Sequence, residues 1–482
     1  MTRRVPTIGL EIHCRLSTRT KLFSRCPFSF GADPNTLVDP YTLGLPGTLP
    51  VPNEAAVRKA VVLATALGCT VHRRSRFARK HYFYPDLPKG YQITQGDEPY
   101  ATGGAIPYER PDAPGKLAHV PLVRIHLEED AGKSIHDQDR HRSLVDYNRA
   151  GTALVEIVTA PAIHSAKDAA ACFRSMRTIV RSLGISDANM EQGSLRCDAN
   201  VSLAPEGADR LGTRCEIKNV NSFRFLELAI AAEIRRQKDL LDRGEPVVQA
   251  TVGYDEGRGR VFVMRTKETA ADYRYLPDPD LPPLEIPDAW VEDAKAKVTE
   301  LPPVRLERLV GIGLPRELAV VLAETPDLAS LCDAVTAAGI DDVLAAKWIA
   351  GEIGPLVARA NTSLADTHLT PSRVAEILAW VAHKRRPAAV ARKVLALLVE
   401  RDEDPEAIVA AEGLEGPSED EVAARIAALV AEHPDKVAEV RGGNAKLVGW
   451  FMGQAMRTLR GADPALVRAT LVAALETDEE PS

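Results

Sequence analysis

Hydrophobic and polar positions alternate with strict period two in three stretches of this chain. In residues 7–16, Ile8, Leu10, Ile12, Cys14 and Leu16 share one parity, which leaves Glu11, His13 and Arg15 together on the other. In residues 194–203 the polar parity holds Arg196, Asp198 and Asn200. In residues 214–218 it holds Arg214, Glu216 and Lys218. A strand face that meets only water has no reason to collect acids, bases and a histidine. The pattern predicts an open sheet whose polar face lines a metal and phosphate site. Glu129 breaks the rule, because it continues the apolar parity of Val123, Ile125 and Leu127. A carboxylate there is costly unless paired or metal-bound. The alternative is that Glu129 opens a loop before Ala131-Gly132, where strand parity lapses.

Helical spacing enters later in the chain. One helix is predicted over 166–183, stopped by Gly184, and a second from Asn221-Ser222 to Gly244. The run Leu276-Pro277-Asp278-Pro279-Asp280-Leu281-Pro282-Pro283 reads as a linker. Beyond about residue 290 the strand pattern disappears. The rest is rich in Ala, Leu, Val, Glu and Arg at helical spacing, with a second break over 401–419 and a last helical unit ending near Leu475.

Composition adds limits. A length of 482 residues predicts two or three domains. The net charge of −7 means that any nucleic acid must be held by local basic patches. Seven scattered cysteines without a C-x-x-C predict free thiols and a reducing, cytoplasmic location. No membrane span and no secretion signal are expected.

Familiar nucleotide motifs fail. Ala131-Gly132-Lys133-Ser134 resembles the end of a P-loop, but Leu127 stands where the motif needs glycine. There is no kinase signature, no G-x-G-x-x-G after a strand and no zinc-ligand spacing. If ATP is used, Mg²⁺ must sit among carboxylates from separate segments, and Glu11, Glu129 and Glu216 with His13 supply such a set.

Longer motifs carry a resemblance. They are Gly9-Leu10-Glu11-Ile12-His13, the run from Tyr82 to Gln92, the run from His126 to Lys133, the run from Val145 to Thr152, and Glu156-Ile157-Val158. Met190 to Ser202, Glu216-Ile217-Lys218-Asn219, Asn221-Ser222-Phe223 and Asp272-Tyr273-Arg274-Tyr275 follow in order. Together they resemble the B subunits of the bacterial glutamyl/aspartyl-tRNA amidotransferases, end to end. The resemblance implies an α+β chain: a large mixed cradle domain on a mostly antiparallel sheet (1–290), a helical middle domain (291–405) and a small all-α tail (406–482). It implies a ligase that uses ATP and Mg²⁺ to phosphorylate the side-chain carboxylate of Glu on tRNA(Gln) or Asp on tRNA(Asn), which ammonia then amidates.

The same resemblance assigns residues and partners. Catalytic positions are Glu11, His13, Glu129, Asp198, Glu216 and Lys218, with Mg²⁺ on Glu11, His13, Glu129 and Glu216. Nucleotide or substrate contacts fall to Lys89, Arg149, Arg196, Lys218 and Arg274, and tRNA contacts to Lys446, Arg457 and Arg460. A solvated basic face explains the last three equally well. The partners implied are an amidase-type glutaminase, which is the family's A subunit, and a small C subunit, together a heterotrimer, with mischarged tRNA as substrate. Two departures stand out. Of the cysteine pairs that bind zinc in many relatives only Cys26 remains, so no zinc is expected and the loop must be held by packing. The usual double Glu before Gly193 is Glu191-Gln192. The basic run 71–80 fits tRNA or a solvated loop. Two other functions fit these residues: a stand-alone ATP-dependent amide ligase, and a non-catalytic tRNA scaffold.

Overall fold

The computed structural model describes residues 3–135, 142–220, 222–266, 273–415, 417, 419–444, 446–459, 462 and 464–476. The chain divides into two compact units, Met1–Arg308 and Leu309–Ser482.

The first unit is built on a sheet of ten strands among the described residues. From one edge the order is Arg260–Thr266, Ala250–Asp255, Cys215–Val220, Leu195–Pro205, Arg4–Arg15, Ala153–Thr159, Leu117–Glu129, Ala101–Thr102 and Thr70–Val71. Ala105–Glu109 pairs with the far end of Leu117–Glu129. Neighbours are antiparallel except Cys215–Val220 and Ala250–Asp255, which run parallel with the helix Phe223–Asp242 between them.

The alternation anticipated in the sequence is the alternation of burial. Ile8, Leu10, Ile12 and Cys14 are fully buried, as are Leu195, Cys197, Ala199 and Val201 on the neighbouring strand, whereas Glu11, His13, Arg196, Asp198 and Asn200 are half-buried. The apolar face joins one core with the helices Glu54–Ala66, Ala166–Ser182 and Phe223–Asp242. Ser165 caps the second helix by accepting the Asp168 N–H at 3.0 Å. The Phe173 and Phe223 rings meet edge to face at 5.1 Å and join it to the third. Ser222 stands at the N-cap of that third helix without a side-chain cap bond, and Asn221 lies outside the described residues.

Three expectations are corrected. The proline-rich run 276–283 is not a linker. Leu276–Pro277 pairs with Ala78–His81, Leu284–Glu285 pairs with Arg74–Ser75, and the Asp278 carboxylate accepts Arg79 Nε at 2.8 Å. Proline is tolerated because this strand is an edge. Residues 401–419 are no plain break, since Pro405–Ala411 is helical, with Asp404 capping and Pro405 at the first position. Arg15 does not join Glu11 and His13 in the open. It is buried, donating to Ser194 Oγ at 2.5 Å and lying 4.6 Å over the Phe28 ring.

The loop with the lone Cys26 is held by a polar clasp rather than by packing alone. Asn148 accepts from Leu37 N–H at 2.8 Å and donates to the Asp33 carbonyl at 2.8 Å. Asn35 donates to the Val145 carbonyl at 3.0 Å, and buried Lys21 donates to the Leu37 carbonyl at 2.8 Å.

The second unit is helical throughout its described elements. Within it, Val422, Ile426, Phe451, Val467 and Leu471 form a hydrophobic cluster of their own.

Candidate active site

The polar face of the large sheet carries two rows of ionisable groups. The first crosses three strands. His13 is the register partner of Glu156, and Glu156 that of His126. Register partners project to the same face. His13 Nε2 lies 3.4 Å from Glu156 Oε2 and 3.5 Å from Glu128 Oε1, and His126 Nε2 lies 3.2 Å from Glu156 Oε2. Burial alone would lower the His13 pKa, but the hydrogen bond with Glu156 and the Glu128 charge outweigh it and push it up to about 9. Glu156 is held well below the usual carboxylate range, because His126 and His13 together overcome its burial. Burial and the Glu156 charge raise the Glu128 pKa.

The second row lies beside the first. Glu11 pairs in register with Asp198, and Asn200 with Glu216. Asn200 donates to Glu11 at 2.9 Å. Lys218 Nζ sits between two carboxylates, 3.1 Å from Asp198 and 3.0 Å from Glu216. Burial opposes the Lys218 charge, yet these two acids raise its pKa. Burial, Glu156 and Glu216 raise that of Glu11. Both rows open on a cavity of about 580 Å³, whose walls include Lys80, Arg76, Arg124, Tyr273 and Tyr275.

Glu11, His13, Asp198, Glu216 and Lys218 are therefore brought together. Glu129 is not. It shares the buried parity of Ile125 and Leu127, where its carboxylate accepts from Lys89 Nζ and from the Ile93 N–H. Glu128, its neighbour on the polar parity, stands in the cluster instead. Lys89 is committed to Glu129 and to the Tyr41 hydroxyl at 2.9 Å. Arg149 and Arg196 both turn to Asp130. Arg196 reaches both its oxygens at 3.0 Å, and Arg149 binds the Ala131 and Gly132 carbonyls at 3.0 and 2.6 Å. Arg274 is exposed with φ +44°, between two cavity tyrosines, and its carbonyl meets His81 Nδ1 at 2.9 Å. Lys446 and Arg457 are exposed on the helix Lys446–Thr458 of the second unit, and Arg460 lies outside the described residues.

Sequence reasoning passed over Glu156, His126 and Glu128. The signal existed for each. Glu156 is the one charge in the apolar strand Ala153–Thr159. His126 and Glu128 fall on the parity opposite Ile125 and Leu127.

The donor set suits a hard divalent cation. One ligand atom from each of His13, Glu128 and Glu156 lies within 4.8 Å of the others, and two of the three are carboxylates. Without a cation, the raised His13 pKa places a protonated imidazole between the acids, a positive charge where the ion's charge would be.

An α+β domain with carboxylates, histidines and lysines gathered on one sheet face above a cavity is what this fold and site define. Residues 6–292 match the family model described as the GatB/GatE catalytic domain, and residues 330–475 match that described as the GatB domain. The chain is 45% identical over 471 residues to the B subunit of the aspartyl/glutamyl-tRNA(Asn/Gln) amidotransferase of Nitratidesulfovibrio vulgaris strain DP4, covering 97% of this chain and 98% of the relative. It is 43% identical over 479 residues to the protein of the same name from Anaeromyxobacter dehalogenans strain 2CP-1, covering 96% and 97%. The chain belongs to this family of amidotransferase B subunits, within the glutamine-hydrolysing aminoacyl-tRNA ligases. No helix among the described residues is long and apolar enough to cross a membrane.

Proposed function

We propose that the chain activates the side-chain carboxylate of Glu on tRNA(Gln), of Asp on tRNA(Asn), or of both, and passes the activated acyl group to ammonia. A carboxylate is a poor electrophile because oxide would have to leave. One of its oxygens attacks the γ-phosphorus of ATP, the O–P bond forms, and the bond to the β-phosphate oxygen breaks with ADP leaving. Ammonia then attacks the acyl carbon, phosphate leaves with its oxygen, and the amide nitrogen loses a proton.

The observation that carries this reading is the His13, Glu128 and Glu156 cluster beside Lys218 and its acids, on one sheet face above one cavity. Mg²⁺ would be held by His13, Glu128 and Glu156, with Glu11 and Glu216 near, and would neutralise phosphate charge. Lys218 and Lys80 present cations to phosphate or carboxylate oxygens. Asn200 orients Glu11. Arg149 and Arg196 hold Asp130, and through it the turn at Gly132, rather than substrate. Lys89 acts through Glu129, and Arg274 stands at the cavity rim.

The remaining assignments follow the same reading. The ammonia comes from an amidase-type glutaminase, the A subunit, and a small C subunit completes a cytoplasmic heterotrimer. Residues 1–290 form the cradle, 291–405 the middle domain and 406–482 a tail whose Lys446, Arg457 and Arg460 meet tRNA phosphates. The test uses the complex with ATP, mischarged tRNA and hydroxylamine in place of ammonia. Hydroxamate on the tRNA that depends on ATP is expected. Hydroxamate without ATP, or none at all, overturns the reading.

A further inference from the structure

The cavity has an aromatic approach that activation chemistry leaves without a role. Tyr84 meets Tyr82 at 5.8 Å between ring centroids, Tyr82 meets Tyr273 at 6.3 Å, and Tyr273 meets Tyr275 at 6.2 Å, all edge to face. The inner two rings line the cavity. At the outer end Tyr84 is 57% exposed, and its neighbour Phe83 is 87% exposed, the most of any large hydrophobic residue described.

The row is anchored. His81 N–H donates to the Tyr273 carbonyl at 2.8 Å, Tyr82 N–H to the Gly90 carbonyl at 3.2 Å, and the Tyr147 hydroxyl to the Pro85 carbonyl at 2.8 Å. Phe83 lies against Gly90, where a Cβ would stand only 3.2 Å from its ring. Lys80 Nζ lies 4.9 Å from the Tyr273 ring centroid and 5.9 Å from that of Tyr82. Exposed rings on a fixed backbone, with a cation between them, suit a ligand that is flat, aromatic and anionic at each step. Unpaired nucleotides are such a ligand, with bases that stack and phosphates that meet the cation.

We propose that Tyr84, Phe83, Tyr82 and Tyr273 form a stacking track for the unpaired 3′ end of the RNA, and that the track leads the esterified amino acid into the cavity. The proposal rests on the aminoacyl-RNA reading above and adds the residues that position its terminus. The rings offer stacking rather than charge and Lys80 offers a cation, so the track gives a polyanion an approach to a cavity rich in carboxylates.

The experiment uses the chain assembled with its partner subunits and full-length tRNA carrying 2-aminopurine at one unpaired 3′ position, whose fluorescence falls on stacking. Wild type and Tyr84→Phe are expected to quench it. The double variant Phe83→Ala/Tyr84→Ala is expected to lose the quench and to raise the KM for mischarged tRNA about fivefold or more, with kcat retained. Both positions are exposed, so the double variant keeps its core. An unchanged quench in the double variant overturns the track, and so does a loss that falls on the KM for ATP, which would make the rings an adenine site. If wild type shows tRNA-stimulated ATP turnover without quench, the track alone fails. If it shows neither, the track fails together with the reading beneath it.

Discussion

His13 is where the chemistry of the site concentrates. Its pKa of about 9 lies above the ordinary histidine value, so in the metal-free protein it binds a proton more tightly folded than unfolded. That contribution is complete below about pH 6.5 and is lost as pH rises through about 9. Metal-free stability, measured by urea denaturation, is expected to decline across this window in wild type and to be flatter in His13→Gln. Mg²⁺ held at His13 as proposed would have to displace the same proton, so its affinity by titration calorimetry is expected to rise over the same range. An affinity independent of pH would remove His13 from the ligand set. At this scale the sequence was informative where strands are short and regular. Parity alone collected Glu11, His13, Asp198, Asn200, Glu216 and Lys218. The same alternation puts Glu128 on the polar face and Glu129 on the buried one; the resemblance points to Glu129, and only the structure shows Glu128 within reach of His13 and Glu156.

Among elements, the strap from Tyr273 to Glu285 shows how a composition-based reading goes astray. Four prolines in eight residues read as a linker, yet the strap is an edge strand pinned by a buried ion pair. Asp278 is fully enclosed at its side chain, so Asp278→Ala removes the buried partner of Arg79 and leaves it only the more exposed Asp280 of its two carboxylates. A loss of about 2 kcal/mol is expected by chemical denaturation, with faster hydrogen exchange at Asp278 and Leu276. Unchanged exchange would mean that the backbone pairs hold the strap alone. The helices at 166–182 and 223–242 were legible because capping residues and terminal glycines bracket amphipathic runs. The clasp around Asn35 and Asn148 was not, since its partners are about 110 residues apart in the chain.

For the whole molecule, the proposed carboxylate activation and 3′-end track fall to the first unit, and the proposed phosphate contacts of Lys446 and Arg457 fall to the second. Lys446 and Arg457 are eleven residues apart on one helix, which is close to three full turns, so both lie on one face roughly 16 Å apart. Replacing both by Ala is expected to weaken tRNA binding and to lower the slope of log affinity against log salt by about 2. A weakened affinity with an unchanged slope would mean that the two residues act through the fold rather than on phosphates.

The central claim is that the sheet face bearing His13, Glu128 and Glu156 activates the carboxylate. Its most direct test is ATP turnover by the assembled complex, stimulated by mischarged tRNA, for wild type, Glu128→Gln and Glu216→Ala. Stimulation is expected in wild type, with its loss by at least about a hundredfold in both variants. Stimulation that persists in both would contradict it and move the chemistry away from this face.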